Sequence, residues 1–340
     1  DYALFLELVR EKLDLLGNAT GHTYQISVAS PAGLAKIENF NLPELTNVVD
    51  FFNVMTYDIH GAWEDVTGHL AAFENDPAGY DISTPIRGDL EAGVPREKIV
   101  LGSPLYTRAW SGVAEGDDGG YAEAAAGAAP GSFWAQSGMY DYKDLLGQLQ
   151  ANNSSWRLYW DDNAQAAYLY DPSQQIFSSF ETPGSVALKS EWAQHMGLAG
   201  MMFWDLSSDA TGQPESLLAA AFGSWYRGLS FDQIVSASNL EFDQILGGNG
   251  LFDPIAEADT PSTDLGDPEP EPDGNESTDS EEDAGPGEGE DSAPSPSEER
   301  LGLENISVEI GGSRWWNGFS AELTVHNETE SELDLSLIHI

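Results

Sequence analysis

The chain has 340 residues, 13 Lys and Arg against 58 Asp and Glu, a formal net charge of -45 and no cysteine. That charge argues against nucleic acid and anionic membrane as partners, because phosphate binding needs clustered cations; without cysteine there are no disulfides, thiolate metal ligands or cysteine nucleophiles. No apolar run approaches the ~20 residues of a membrane-spanning helix, while ten Trp, twelve Tyr and fourteen Phe in a chain that is 41% hydrophobic suffice for a large core.

In chain order, Asp1–Leu16 is an amphipathic helix that starts at the first residue, with no leader pattern before it. An apolar β-type run follows at Tyr24–Ser30, then a helical stretch at Leu42–Val49 and a second run at Phe51–Asp58. A helix over Ile82–Ala92 leads to a third run, Ile99–Tyr106. After a long connection come a helix over Val186–His195, a fourth run at Leu198–Leu206 and a helix over Pro214–Trp225. Near-continuous apolar strands alternating with helices predict a parallel sheet covered on both faces. A doubly wound sheet and a (β/α)8 barrel both fit; four β/α units are half of such a barrel.

The connection from Arg108 to Val186 is roughly eighty residues, against the usual 2–6 of a βα loop. Its second half carries Trp156–Asp161, Ala167–Asp171 and Gln175–Phe180, short aromatic runs separated by Asp-rich turn signals. This predicts an α+β insertion over about 110–186. Its aromatics, Tyr140, Tyr142, Trp156, Tyr159, Trp160, Tyr168 and Tyr170, are either its own core or a sugar-stacking surface. After a C-terminal extension (229–256), the segment 257–300 is mostly Asp, Glu, Pro, Gly and Ser, with no Lys or Arg from Glu257 to Glu299. It cannot bury enough apolar surface to fold and is read as a disordered acidic linker. From Leu303 the chain alternates like a β domain and ends within a strand-like stretch at Leu337–Ile340, so the sequence is read as a piece of a longer protein.

Candidate chemistry sits at the ends of the runs. In Asn53-Val54-Met55-Thr56-Tyr57-Asp58, the period of two puts Met55 and Tyr57 on one face, with Asp58 where strand becomes loop. The same spacing pairs Tyr106 with Arg108 and Met202 with Trp204. Polar and aromatic groups at the C-terminal ends of several strands are what a barrel active site is made from, although each has an alternative reading as core tyrosine, surface ion pair or packing tryptophan.

These segments resemble glycoside hydrolase family 18, the chitinases. Phe51–Trp63 (FFNVMTYDIHGAW) is similar to that family's sixth barrel strand and following loop, Ile99–Trp110 to its seventh, Gly197–Ser207 to its eighth and Ser27–Pro31 to its fifth. The resemblance runs from Asp1 to about Trp225, and the domain is assigned to 1–228. It implies the C-terminal half of a (β/α)8 barrel with the insertion between strands seven and eight. It further implies retaining cleavage of β-1,4 bonds in N-acetylglucosamine polymers, with the substrate's acetamido carbonyl as nucleophile. Position by position, Tyr57 matches the donor that holds the acetamido oxygen and Asp58 the acidic group that contacts the substrate and the neighbourhood of the catalytic glutamate. Trp204 matches the floor of the subsite where the sugar is distorted, Trp63 a stacking residue on the leaving-group side, and Met55, Tyr106 and Arg108 the flanks of the cleft.

One departure bears on activity. The family's general acid is the Glu of Asp-x-x-Asp-x-Asp-x-Glu, and no such motif occurs in the sequence. These 340 residues alone are therefore expected to be inactive, with the acid lying upstream in the intact protein; Glu64 also stands where the family often has Asp. A chitin-binding lectin on the same scaffold is the main alternative, and a glycosidase acting on N-glycan cores a further one. Beyond the linker, Trp315–Asn327 resembles the early strands of a family 2 carbohydrate-binding module, which implies a partial β-sandwich over 301–340 with Trp316 as a platform for insoluble polysaccharide. The expected partners are chitin or chito-oligosaccharides, with no nucleic acid and no membrane. The protein is expected to be a secreted, extracellular monomer without cofactor; its six His are scattered without ligand spacing, so no metal is expected.

Overall fold

The computed structural model describes residues 2–37, 40–76, 79–132, 137–246, 306–315 and 318–327. Helix α1 (Tyr2–Thr20) buries Ala3, Leu6 and Val9 along one stripe and is pinned by Arg10, which donates to the carbonyls of Val48 and Tyr24 and to Asp50. Strand β1 (Ser27–Pro31), the short helices α2 (Leu34–Ile37) and α3 (Leu42–Val48), strand β2 (Phe51–Met55), helix α4 (Ser83–Glu91) and strand β3 (Ile99–Pro104) follow. The chain then leaves this layer for β4 (Arg108–Ser111), β5 (Gly127–Ala128), helix α5 (Tyr142–Leu149), β6 (Arg157–Asp161), β7 (Ala166–Asp171) and β8 (Ile176–Phe180). It returns through α6 (Pro183–His195) to β9 (Gly200–Trp204), α7 (Leu217–Arg227), α8 (Phe231–Ala237) and β10 (Gln244–Leu246).

Strands β1, β2, β3 and β9 form a parallel sheet in that order. Its order follows the sequence without the reversal that marks a doubly wound sheet, which leaves the barrel-type arrangement. Among the described residues β1 and β9 each pair with a single neighbour, so the barrel is not closed. The alternation in β2 shows the two faces: Phe52 and Val54 are buried, while Phe51, Asn53 and Met55 are half-buried on the other face. Helix α6 is started by Thr182, whose side chain caps Ser185 in a capping box with Pro183 in the first turn. That cap places its start ahead of Val186, where the apolar pattern alone had put it. Helix α7 begins at its cap Ser216 and ends at Gly228, whose φ of 60° needs glycine.

The second sheet has the order β10-β6-β7-β8-β4-β5. It takes in Arg108 at one end and Phe180 at the other, and the segment after 228 contributes β10, parallel to β6. Alternate residues of β7 go to two clusters: Tyr168 and Tyr170 join Trp110, Tyr159 and Phe177, whereas Ala167 and Leu169 join Leu158, Trp160 and Tyr142. The insertion aromatics are therefore core, with only Trp156 partly buried at its margin. Separately, β11 (Ile306–Trp315) and β12 (Gly318–Asn327) form an antiparallel ladder. The linker over 257–300 and Trp316 lie outside the described residues. No helix among the described residues is long and apolar enough to cross a membrane.

Candidate active site

The site is built where β2 ends earlier than its apolar run. Thr56 N–H turns back to the Val54 carbonyl and its hydroxyl donates to the Gly102 carbonyl at 2.6 Å. The ladder therefore stops at Met55, and Tyr57 and Asp58 project from the strand end, Asp58 with a left-handed φ of 58°. Gly102 on β3 allows the close approach: a Cβ there would stand 2.4 Å from the Val54 oxygen and 2.9 Å from the Tyr57 ring. No other residue fits.

Five of the sequence-derived residues form one cluster. Arg108 grips Asp58 in a fork, Nε to Oδ1 at 2.8 Å and Nη2 to Oδ2 at 2.7 Å. The same guanidinium lies 5.1 Å from the ring centres of both Trp63 and Tyr106, cation–π contacts on both sides. Tyr106 meets Tyr57 edge-on, with centroids 6.2 Å apart. Burial pushes the Tyr57 hydroxyl up to about 12, with the Asp58 charge adding to it; burial, then the Asp58 charge, raises Tyr106 as well. Burial alone would lower Arg108, but its hydrogen bonds and attraction to Asp58 outweigh that and raise it. At neutral pH the cluster therefore presents a protonated phenol next to a neutralised carboxylate.

Met55 lines a cavity of about 500 Å³ with Tyr57, Asp58, Glu64 and Tyr80. Trp204 ends β9, opposite Pro104 in the register, with its indole 61% exposed. It belongs to the same end of the parallel sheet, and the link to Tyr57 is Met202, whose sulfur is 3.9 Å from the Tyr57 hydroxyl. Trp63 is 59% exposed. Sequence reasoning paired Met202 with Trp204 but gave it no place in the site. It missed Met139, whose sulfur contacts Arg108, and Tyr80, 60% exposed on the cavity rim. Tyr80 stands in a loop without periodicity, so no pattern marks it. Among the described residues no group of three His, Asp or Glu could hold a metal ion.

Chemically, the arrangement offers a hydrogen-bond donor on a concave floor, a fixed carboxylate, and two open indole faces suited to the apolar face of a pyranose. Its carboxylates are committed: Asp58 to Arg108, and Glu64 to His60 at 2.7 Å.

Residues 1–209 match the family model described as glycosyl hydrolases family 18. The chain is 36% identical over 219 residues to Chitinase A1 of Niallia circulans, covering 62% of this chain and 31% of that protein. Among solved structures, Chitinase ChiA74 from Bacillus thuringiensis is 30% identical with a TM-score of 0.60, over 66% of this chain and 39% of that one. The Ostrinia furnacalis Group IV chitinase, solved in complex with allosamidin, is 27% identical with a TM-score of 0.59, over 67% and 63%. The chain spans 31% of the length of one curated relative and 56% of another.

Proposed function

Because the chain belongs to glycosyl hydrolase family 18, we propose that it supplies the substrate-binding half of a chitinase that cleaves β-1,4 linkages between N-acetylglucosamine units with retention. The carrying observation is the Tyr57 phenol at the strand end, its hydroxyl 3.9 Å from the Met202 sulfur and beside the Asp58–Arg108 fork. In this reading Tyr57 donates to the acetamido carbonyl oxygen and holds it against the anomeric carbon, and Asp58, held by Arg108, contacts the substrate beside it. The carbonyl oxygen forms a bond to the anomeric carbon as the glycosidic C–O bond breaks. The leaving oxygen takes a proton from a carboxylic acid, and water then opens the cyclic intermediate. That acid is the Glu of the motif absent from these 340 residues, to be sought in residues preceding Asp1.

Trp204 serves as the floor beneath the sugar and Trp63 as a stacking face on the leaving-group side, with Met55, Tyr106 and Arg108 as flanks. The same reading makes the protein a secreted monomer, with the segment after the linker, Trp316 included, binding insoluble polysaccharide and raising the local concentration of the enzyme.

In the intact protein Tyr57→Phe is expected to lower kcat by roughly a hundredfold while KM changes by less than about threefold, since the lost bond matters most as the nucleophile attacks. Equal losses in kcat and in affinity would reject that role for Tyr57. Turnover unchanged by the substitution would likewise reject that role, and an intact protein that binds chitohexaose and never cleaves it would return the lectin reading.

A further inference from the structure

Between Asp58 and Trp63 the chain carries His60, to which the proposed function gives no role. Its imidazole is largely buried, with Nδ1 2.7 Å from Glu64 Oε2 and Nε2 3.2 Å from both carboxylate oxygens of Asp76. Glu64 belongs to the turn that carries Trp63: its N–H donates to the Gly61 carbonyl at 3.0 Å, and its own carbonyl accepts from Trp110 Nε1 at 3.1 Å. Asp76 is buried at the far end of the same loop. The imidazole therefore closes the loop across its base.

The turn is folded tightly around two rings. A Cβ on Gly61 would stand 2.2, 2.3 and 2.7 Å from three carbons of the Trp63 indole, and one on Gly68 2.7 Å from the His60 ring. Trp63 thus lies on bare backbone, with the Arg108 guanidinium 5.1 Å from its centre. An indole 59% exposed has little packing of its own to fix it, so its position is that of the turn.

We propose that His60 is a positioning residue: as an imidazolium it bridges Glu64 and Asp76 and so holds the Gly61–Glu64 turn in the conformation that presents Trp63 to the sugar. The charge matters because only the imidazolium donates from both nitrogens; a neutral ring offers a lone pair to one of the two carboxylates. The charged groups facing the ring are Asp76 and Glu64. The hydrogen bond to Asp76 is the largest influence; with Glu64 it overcomes burial and raises His60 above its ordinary 6.5. The bridge is therefore complete in acid and is lost as pH rises through that raised value. Presentation to a sugar rests on the function proposed above, whereas the bridge itself does not.

The test is 19F NMR of the full chain labelled with 5-fluorotryptophan, the Trp63 resonance being assigned by its loss in Trp63→Phe. In the wild type that resonance is expected to move with one inflection above pH 6.5, and in His60→Gln to stay at its high-pH position throughout. An unchanged inflection in His60→Gln, or a wild-type resonance that does not titrate, would overturn the proposal. The resonances of buried Trp110, Trp160 and Trp192 report whether the variant folds. Should it not, Glu64→Gln decides: loss of one carboxylate moves the inflection to lower pH, and an unmoved inflection rejects the bridge. Chitohexaose then separates the two ideas. Affinity about threefold weaker at pH 8 than at pH 5 in the wild type, and level in His60→Gln, supports presentation; equal wild-type affinities at the two pH values overturn it. A titrating indole that chitohexaose never perturbs leaves the bridge standing and counts against the sugar-binding function.

Discussion

At the C-terminal end of the parallel strands Trp63 and Trp204 stand about three-fifths exposed, while Trp160, Tyr168 and Tyr170 in the insertion sheet are buried. The two regions draw on the same residue types and treat them oppositely. In the insertion every position of β7 is buried, because the sheet is covered on both faces and alternate side chains enter two different clusters. At the parallel strand ends the indoles stay more than half exposed: Trp63 touches Gly61 and Arg108, and Trp204 stands at the end of β9. Aromatic density is therefore a poor guide to a sugar-binding surface. What separates the two sets is whether a second layer covers the ring.

The contrast breaks first in the core. Trp160→Ala is expected to cost about 3–5 kcal/mol in urea unfolding, the loss of a buried indole together with the cavity it leaves. A smaller effect is expected where the insertion rejoins the parallel layer. Lys189 on α6 pairs with Glu181 just after β8, and its ammonium also donates to the Ala71 carbonyl at 2.7 Å, all of them buried. Lys189→Met strands the Glu181 charge and is expected to cost about 3 kcal/mol, with a large part recovered by adding Glu181→Leu. If the double variant is no better than the single one, the ammonium's bond to Ala71 matters more than the ion pair.

On the parallel side, α4 carries a buried acid. Asp89 is buried with Oδ1 lacking a hydrogen-bond partner among the described residues, and burial pushes its carboxyl up to about 7. The folded state thus keeps its proton while the unfolded chain ionises from near pH 4. Stability from this group falls as pH rises from 4 towards 7, and the full cost is present above 7. Asp89→Asn is expected to be about 2 kcal/mol more stable than wild type at pH 8, with the gain vanishing near pH 4; a gain independent of pH would mean the carboxyl is not the cause.

Much of this was legible in the sequence, for reasons that differ by element. Period and apolar continuity placed all four parallel strands, and Tyr57, Asp58, Trp63, Tyr106 and Arg108 do meet in space. The ends of the elements were less legible. The run Phe51–Asp58 looked like one strand because nothing in it announces that Thr56 would turn to the Gly102 carbonyl. Likewise Ile99–Trp110, likened to one barrel strand, conceals a change of sheet between Pro104 and Arg108. His60 was passed over because a lone histidine acquires meaning only from Asp76, which the fold brings to it across sixteen residues.

The smallest effect on stability is expected at Trp204, and it sharpens the comparison most. With 61% of its surface in water the indole has little burial to lose, so Trp204→Ala is expected to change unfolding by less than about 1 kcal/mol. Its loss should instead appear in binding: a sugar face resting on an indole is worth about 1.5 kcal/mol, so chitohexaose affinity should fall roughly tenfold. Trp160→Ala, assayed at a urea concentration where it remains folded, should bind within about threefold of wild type, because the Trp160 ring faces the interior of the insertion. The opposite pattern, a destabilised Trp204→Ala that still binds, would make Trp204 a packing residue and leave Trp63, against Arg108, and Tyr80, on the cavity, as the exposed rings.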